Sequence, residues 1–559
     1  MYSLKKNIST LTQQYLIGAL IFIMTVAVCV APNTGDTLNY ASDAVNAHDP
    51  LKIGSFQKLW EFGHLLWRPL AALLTPIVLS IVPDSIAWTP LLKVAWGLTA
   101  LNLLSGMLIC SLLYALTLKF THSWKASAFI LLLVVWSNAF LLYSQSGSSY
   151  VFALLFEVIA LHLQLIADDT PSLGNDVLTG LSMGTAVLFW FPFILMFPAI
   201  ATARWLIKGQ SSKDGIRHFF LIGLTGFVFV AAGLAIGSLS SNAPSIAEWV
   251  SNSQHGLKQD RRLIRAVNGI PRLLLDMSNS GILLKRYVFH DPYNPVSKWD
   301  IVSLCFSKLF LFYSIIAVVA IQAWFWRPAR KFLLLCMVAA LPLLFFAVFL
   351  FEPSAPERFL PLLPFLTLLW SGVWPSDSRW AKPMRVAFVA LSVLVIVNNA
   401  GRFWRGDSRE ERSIIQRLTA LDAVASPGDY LFTVTFSEPQ VTLMEQRPFH
   451  PYNRNRKVAT YQLVELANKN AAKWRSTFAE LVLPNWQTHR IWLSKSVRDK
   501  TPRSQINWVE GDNPLVPWAA FPEVFSDLEY DSETADVDGY IRLSLSQSNR
   551  EKVERLLEQ

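Results

Sequence analysis

The chain has 559 residues, of which 52% are apolar and only 16% charged, where a soluble protein carries about 25% charge. With a mean hydropathy of +0.35 and its apolar residues gathered in blocks, it reads as an integral membrane protein, and a soluble enzyme, a disordered chain and collagen are excluded. Much of the formal net charge of +9 sits in short basic loops between apolar blocks, a positive-inside pattern that leaves nucleic acid out of the list of partners.

The first apolar run, Tyr15 to Ala31, follows Lys5 and Lys6 and ends in Val-Ala-Pro-Asn without a small-x-small cleavage site, so it reads as a signal anchor with a cytoplasmic N-terminus. A helical span takes about 20 apolar residues. Further spans are predicted over 90–118, 126–143, 150–167, 177–190, 192–206, 218–240, 301–325, 332–351, 359–374 and 384–400, about eleven in all with the first. Pro192 and Pro198 break the stretch 177–206 into two short helices. The basic loops at Lys119–Lys125, Arg204–Arg217, Arg327–Lys331 and Arg379–Arg385 then fall in the cytoplasm. Outside fall the loops 32–89 and 241–300, the short loop 352–358, and everything after 401. The apolar stretch Leu65–Val82 is short and holds Arg68, Pro69 and Pro76, and counting it as a span would turn the Lys119 loop outward; it is laid on the outer surface as one or two interfacial helices.

Past Gly401 the apolar runs shorten and turn signals appear at Ser426-Pro-Gly-Asp and Val537-Asp-Gly. A soluble domain over 401–559 is expected beside a membrane domain over 1–400. Helical spacing over Arg409–Val424 and Val464–Leu481, with strands at Tyr430–Phe436 and Arg490–Leu493, makes it a small α/β domain. Cys29, Cys110, Cys305 and Cys336 lie in or beside apolar runs with no Cys/His cluster, which supports neither a disulfide framework nor a zinc site.

Chemistry is to be sought where spans end. Asp36 and Asp43 follow the first span, at a depth where a carboxylate can take a proton from an attacking hydroxyl or hold a metal. The plain alternative for Asp36 is a helix start, Gly-Asp-Thr being ordinary N-terminal chemistry. His64 and Arg68 are four apart and suited to a phosphate on one helical face, or else Arg68 only snorkels. Glu357 and Arg358 stand at the outer mouth of a span between Pro356 and Pro361. The outer loop carries Lys258, Arg261, Arg262, Arg265, Arg272, Lys285 and Arg286, an excess of positive charge on the wrong side that asks for an anionic partner. Within the spans Glu157 and His162 stand out. No Gly-rich phosphate loop, HExxH or GxSxG is present.

In layout and in several short motifs the chain resembles the polytopic glycosyltransferases of the C superfamily (GT-C fold), which include the protein O-mannosyltransferases and the lipid A aminoarabinose transferases. The residues that carry the resemblance are an acid after the first span (Asp36, with Asp43 second), His64-Leu-Leu-Trp-Arg-Pro-Leu, Tyr143-Ser-Gln-Ser-Gly-Ser-Ser-Tyr150, the short double span from Leu178, and Glu357-Arg-Phe-Leu-Pro-Leu-Leu-Pro364. They cover residues 10–400. Asp36 is followed by Thr37 where the protein mannosyltransferases have Asp-Glu, so the acceptor class does not carry over. The resemblance implies a helical membrane fold and transfer from a polyprenyl-phosphate-linked sugar to a glycan, lipid or protein acceptor. Asp36 would be the base, with Asp43 beside it. His64, Arg68, Tyr150, Glu357 and Arg358, with Arg261, Arg262 and Arg265, would bind substrate, an arginine neutralising the departing phosphate. No residue pattern demands a metal, and the divalent-metal question stays open. The Asn-x-Ser/Thr sequence at Asn7 stands alone, on the cytoplasmic tail, which favours a bacterial inner membrane with the C-terminal domain periplasmic. A second reading is a transporter or flippase for a lipid-linked or anionic solute, which would place ionisable residues at mid-membrane in two related halves.

Overall fold

The computed structural model describes residues 2–29, 35–48, 56–82, 90–166, 172–242, 245–252, 298–346, 356–375, 381–403, 409–433, 457–463, 466, 473–498, 520–531, 537 and 539–558. The chain divides into two compact units, the first comprising Met1–Val78, Val94–Asp291 and Pro295–Arg405, the second Leu79–Lys93, Pro292–Asn294 and Gly406–Gln559.

The first unit is helical. Its elements are α1 (Tyr2–Val28), α2 (Gly35–Ala47), α3 (Trp67–Ile81), α4 (Pro90–Thr121), α5 (Trp124–Val135), α6 (Asn138–Ser144), α7 (Tyr150–Leu165), α8 (Leu173–Phe189), α9 (Phe197–Lys208), α10 (Ser212–Ser240), α11 (Ile246–Asn252), α12 (Lys298–Phe325), α13 (Arg330–Phe345), α14 (Leu363–Val373) and α15 (Ala381–Phe403). The last residues of α3 and the first of α4 belong to the second unit by contact. The apolar segments read from the sequence fall on these helices or on a bent pair of them, except that 192–206 and 359–374 begin in the 3-10 helices Phe191–Met196 and Pro356–Leu362 and that 347–351 of the segment read over 332–351 lie outside the described residues. Among the described residues, four helices are long and apolar enough to cross a membrane: Pro90–Thr121, Phe191–Lys208, Ser212–Ser240 and Arg327–Phe345. The pair α5 and α6, bent by 71° at their break, would make a fifth. On α10, Phe220, Leu224, Phe227, Val228 and Leu239 are more than half exposed. That is an apolar band a water-soluble protein would not present, and lipid is the solvent that suits it.

The helix joints have local causes. Trp190 turns extended at the end of α8, and Phe191–Met196 follows as a 3-10 turn opened by Pro192, so the stretch 177–206 is indeed two pieces. The piece between the first span and α4 is α2, two short 3-10 turns (Gln57–Leu59 and Phe62–His64) and the single helix α3, with Pro76 inside it. Where α8 meets α10, small residues bring the backbones together: a Cβ on Gly180 would stand 2.8 Å from the Ile222 carbonyl oxygen. Ser172 and Ser211 cap these two helices, each side chain accepting the N–H three residues on.

The second unit holds a sheet in the order β2 (Ala459–Gln462), β1 (Tyr430–Thr433), β3 (Ile491–Ser494), β4 (Tyr540–Arg542). β1 runs parallel to both neighbours and β4 antiparallel to β3. One core cluster joins Phe432 and Leu493 to Trp474, Phe478, Phe521 and Phe525, each such side chain worth about 2 kcal/mol on burial. A second joins Leu431 and Trp492 to Leu418, Leu421 and Tyr540. Asp429 is fully buried and ties the turn to the sheet, its carboxylate accepting the N–H groups of Ser426 and Arg490, both at 2.8 Å. Gly428, at φ +95°, supplies the left-handed turn that Ser-Pro-Gly-Asp announces. The helix Arg409–Val424 lies as read. The strand expected at 490–493 is observed at 491–494. In the segment read as helical over 464–481, the described helix begins only at Trp474. Positions 434–436 and most of 464–472 lie outside the described residues.

Candidate active site

Asp36 stands in the first turn of α2, a position that a helix N-terminus favours for a carboxylate. Its place there is more than a helix start, because its Oδ2 accepts a hydrogen bond from the Tyr150 hydroxyl at 2.8 Å, across 114 residues of chain. Burial pushes the Asp36 carboxyl above the usual carboxylate range, while the Tyr150 hydrogen bond and the positive charge of Arg68 pull it back.

Tyr150 is positioned by the loop 143–150, whose small side chains let the backbone itself be gripped. Asn102 on α4 donates to the carbonyls of Ser146 and Ser148 at 2.6 and 2.5 Å. The Gly147 N–H donates to Thr37 Oγ1 at 2.9 Å, and its carbonyl accepts the Trp67 indole N–H at 3.0 Å. A Cβ at Gly147 would lie 2.6 Å from Thr37 Cγ2, so only glycine allows this approach. The loop therefore stitches α2, α3 and α4 to α7, and holds both of its terminal tyrosines.

Those tyrosines pack edge to face with centroids 5.0 Å apart. As Tyr150 donates to Asp36, Tyr143 donates to Glu357 Oε2, in the first turn of the 3-10 helix Pro356–Leu362. Burial also raises the Glu357 carboxyl, against the pull of its neighbour Arg358 and of the Tyr143 hydrogen bond. Arg358 itself is 8% exposed. The two carboxyls sense each other, since the charge of Asp36 contributes to raising Glu357.

Arg68, at the start of α3, is engaged on several sides. Its Nη2 lies 2.7 Å from Glu61 Oε2 and its Nη1 3.2 Å from Asp43 Oδ2. Nη1 also donates to the Lys58 carbonyl at 3.4 Å, and the guanidinium sits 5.4 Å over the Tyr40 ring. His64 is not on the same face. It lies in the 3-10 turn before α3, between the rings of Tyr40 and Tyr150, with Nδ1 2.7 Å from Ser149 Oγ and 3.3 Å from the Phe189 carbonyl oxygen. Burial, then the charge of Arg68, lowers its pKa to about 3. His64 is therefore a neutral imidazole at neutral pH and offers a phosphate no charge.

The structure thus brings Asp36, Asp43, His64, Arg68, Tyr150, Glu357 and Arg358 together, whereas Arg261, Arg262 and Arg265 lie outside the described residues. Sequence reasoning passed over Tyr143, Tyr40, Glu61 and Ser149. Tyr143 had a signal, as the first residue of the motif that Tyr150 closes; Glu61 had none, because only the turn at Phe62–His64 swings it back to Arg68. Among the described residues no group of His, Cys, Asp and Glu is placed to hold a metal ion. Away from the site, Glu157 is fully buried in α7 with no hydrogen-bond partner for either oxygen among the described residues, and Asp176 is paired with His218 where α8 and α10 begin.

A change of Tyr150 to Phe removes a hydrogen bond that lowers the Asp36 carboxyl, so its pKa rises further. If ionised Asp36 is the working form, the acid limb of the pH–rate profile moves to higher pH and activity recovers on the alkaline side. Rates measured across pH for wild type and Tyr150→Phe test this, and superimposable acid limbs would separate Tyr150 from the Asp36 ionisation.

No family model matches the sequence, and no curated protein matches it. Among solved structures, the chain is similar to the crystal structure of ArnT from Cupriavidus metallidurans bound to undecaprenyl phosphate, at 11% identity and a TM-score of 0.48, covering 97% of this chain and 98% of that one. It is similar to the apo state of the same protein at 11% identity and a TM-score of 0.49, covering 97% and 99%.

Proposed function

We propose that the protein is a glycosyltransferase that moves a sugar from a polyprenyl-phosphate-linked donor to an acceptor hydroxyl at the outer face of a membrane. The observation that carries this reading is the Asp36 carboxylate, held by Tyr150 just past the first apolar helix, with Arg68 and Arg358 in the same group of side chains. A carboxylate there can take the acceptor's proton as its oxygen attacks the anomeric carbon. The carbon–oxygen bond to the phosphate breaks, the polyprenyl phosphate leaves with the electron pair, and guanidinium groups meet the charge that grows on it. Arg358 and Arg68, with Arg261, Arg262 and Arg265 of the outer loop, fill that role. The apolar helices suit a donor whose tail is in lipid and whose head group is at the surface. In this reading the chain sits in a bacterial inner membrane, residues 1–400 form the transferase domain, and 401–559 form a periplasmic domain.

Lipid extracts test it. A strain lacking the gene should accumulate a polyprenyl-phosphate sugar that mass spectrometry detects, and return of the wild-type gene should clear it. Unchanged polyprenyl-phosphate pools in both strains would remove the donor class from the reading.

A further inference from the structure

The side edge of an arginine guanidinium carries two parallel N–H donors, on Nε and Nη2, and a tetrahedral phosphate takes both at once. In Arg68 a carboxylate stands at one end of this edge as an ion pair, not as an aligned hydrogen bond. Glu61 Oε2 lies 2.7 Å from Nη2, and Nε, buried, has no hydrogen-bond partner among the described residues. Asp43 meets the other end of the same guanidinium, at Nη1. The guanidinium therefore faces two carboxylates: Asp43, which the positive charge of Lys58 also reaches, and Glu61, which stands against Nη2, one of the two donors of the edge best shaped for phosphate. Glu61 comes from a short segment of 3-10 turns, Gln57–Leu59 and Phe62–His64, whose residue 61 between them is extended, with ψ 133°. It is not in the packed helices that fix Asp36 and Tyr150. Asp43, by contrast, is on α2 together with Asp36.

We propose that Glu61 competes with the donor's phosphate for the side edge of Arg68 and so sets the affinity for the lipid donor. This rests on the transferase reading above and adds a residue to it. Phosphate binding exchanges a single-point carboxylate contact for a two-point contact on Nε and Nη2, while Asp43 keeps the guanidinium in place through Nη1 and the Tyr40 ring supports its face. Glu61 is a specificity residue acting through Arg68; it takes no proton and forms no bond in the reaction. Its charge also disfavours anions that cannot supply two oxygens to the edge.

The test is equilibrium binding of a polyprenyl monophosphate, in detergent, to the purified full chain. Glu61→Gln, which keeps the shape and removes the charge, should bind about fivefold more tightly than wild type, the gain expected from releasing one partly exposed ion pair. Glu61→Asp, which withdraws the carboxylate by one methylene, should show a smaller gain in the same direction, and it serves if the Gln variant does not fold. In the double variant Glu61→Gln with Arg68→Gln the gain should vanish. Equal or weaker binding by a folded Glu61→Gln protein would make Glu61 a brace that holds Arg68 in position, and would overturn the proposal while leaving the transferase reading intact. Absence of binding by the wild type and by every variant would remove the donor reading itself, and this inference with it.

Discussion

Asp36→Asn should lower transfer activity by about 100-fold or more, the range that a positioned general base supplies, in a protein that still folds and inserts. Asparagine keeps the size of the side chain and an oxygen to accept the Tyr150 hydroxyl, so the contact at 2.8 Å has a substitute and the stitching of α2 to the 143–150 loop through Thr37 is untouched. What is lost is a group able to take a proton. The surroundings make this loss hard to repair. Asp43 is engaged with Arg68, and Glu357 is tied to Tyr143, so neither neighbouring carboxyl is held where Asp36 is. Asp43→Asn should therefore cost much less, through a looser Arg68. The measurement is turnover of a polyprenyl-phosphate sugar by purified variants, with thermal unfolding as the control for structure. Full activity in Asp36→Asn would leave the helix-start account of Gly35-Asp36-Thr37 as sufficient and would withdraw the base from the mechanism.

Part of this site is legible in one dimension. A membrane-embedded chain has few places for polar groups, and helix ends at one depth are among them, so Asp36, Arg68, Glu357 and Arg358 could each be named as candidates from where the apolar runs end, while Tyr150 came only with the motif that carries the resemblance. Their pairing could not. Tyr143 and Glu357 are 214 residues apart, and which carboxyl each tyrosine meets depends on how the helices pack. His64 and Arg68 have helical spacing, but the helix starts only at Trp67, so the two side chains part. Asp176 and His218, 42 residues apart, each look like an ordinary residue near a helix start until the contact of α8 with α10 buries them against each other. In the second unit, β1 and β3 carry apolar runs that period and composition reveal. β2 and β4 are four and three residues long, with polar residues among them, and they are strands because a parallel and an antiparallel neighbour offer them hydrogen bonds.

Arg358→Ala should lower turnover by about 100-fold, a loss of the size that removing one charge-stabilising donor causes. Arg358→Lys should already be damaging by about tenfold, because an ammonium supplies a point charge where the guanidinium supplies two parallel donors to a phosphate. The burial of Arg358 is what decides between this and a simple anchor. An arginine that snorkels keeps its head in water and tolerates lysine, but Arg358 is only 8% exposed. Its backbone is held by a 3-10 helix that contains Pro356 and Pro361, so the head cannot move outward freely. Its charge also pulls the neighbouring Glu357 carboxyl down, against burial. In Arg358→Ala that restraint is lost and Glu357 binds its proton more readily, which favours the neutral acid and adds no negative charge near the departing phosphate. The damage should therefore appear in turnover and in polyprenyl-phosphate affinity together, and raising the pH to ionise Glu357 should deepen it. Lysine and arginine proteins with the same turnover and the same donor affinity would leave Arg358 as an interfacial anchor, and would place the phosphate on Arg68 or on the Arg261, Arg262 and Arg265 cluster.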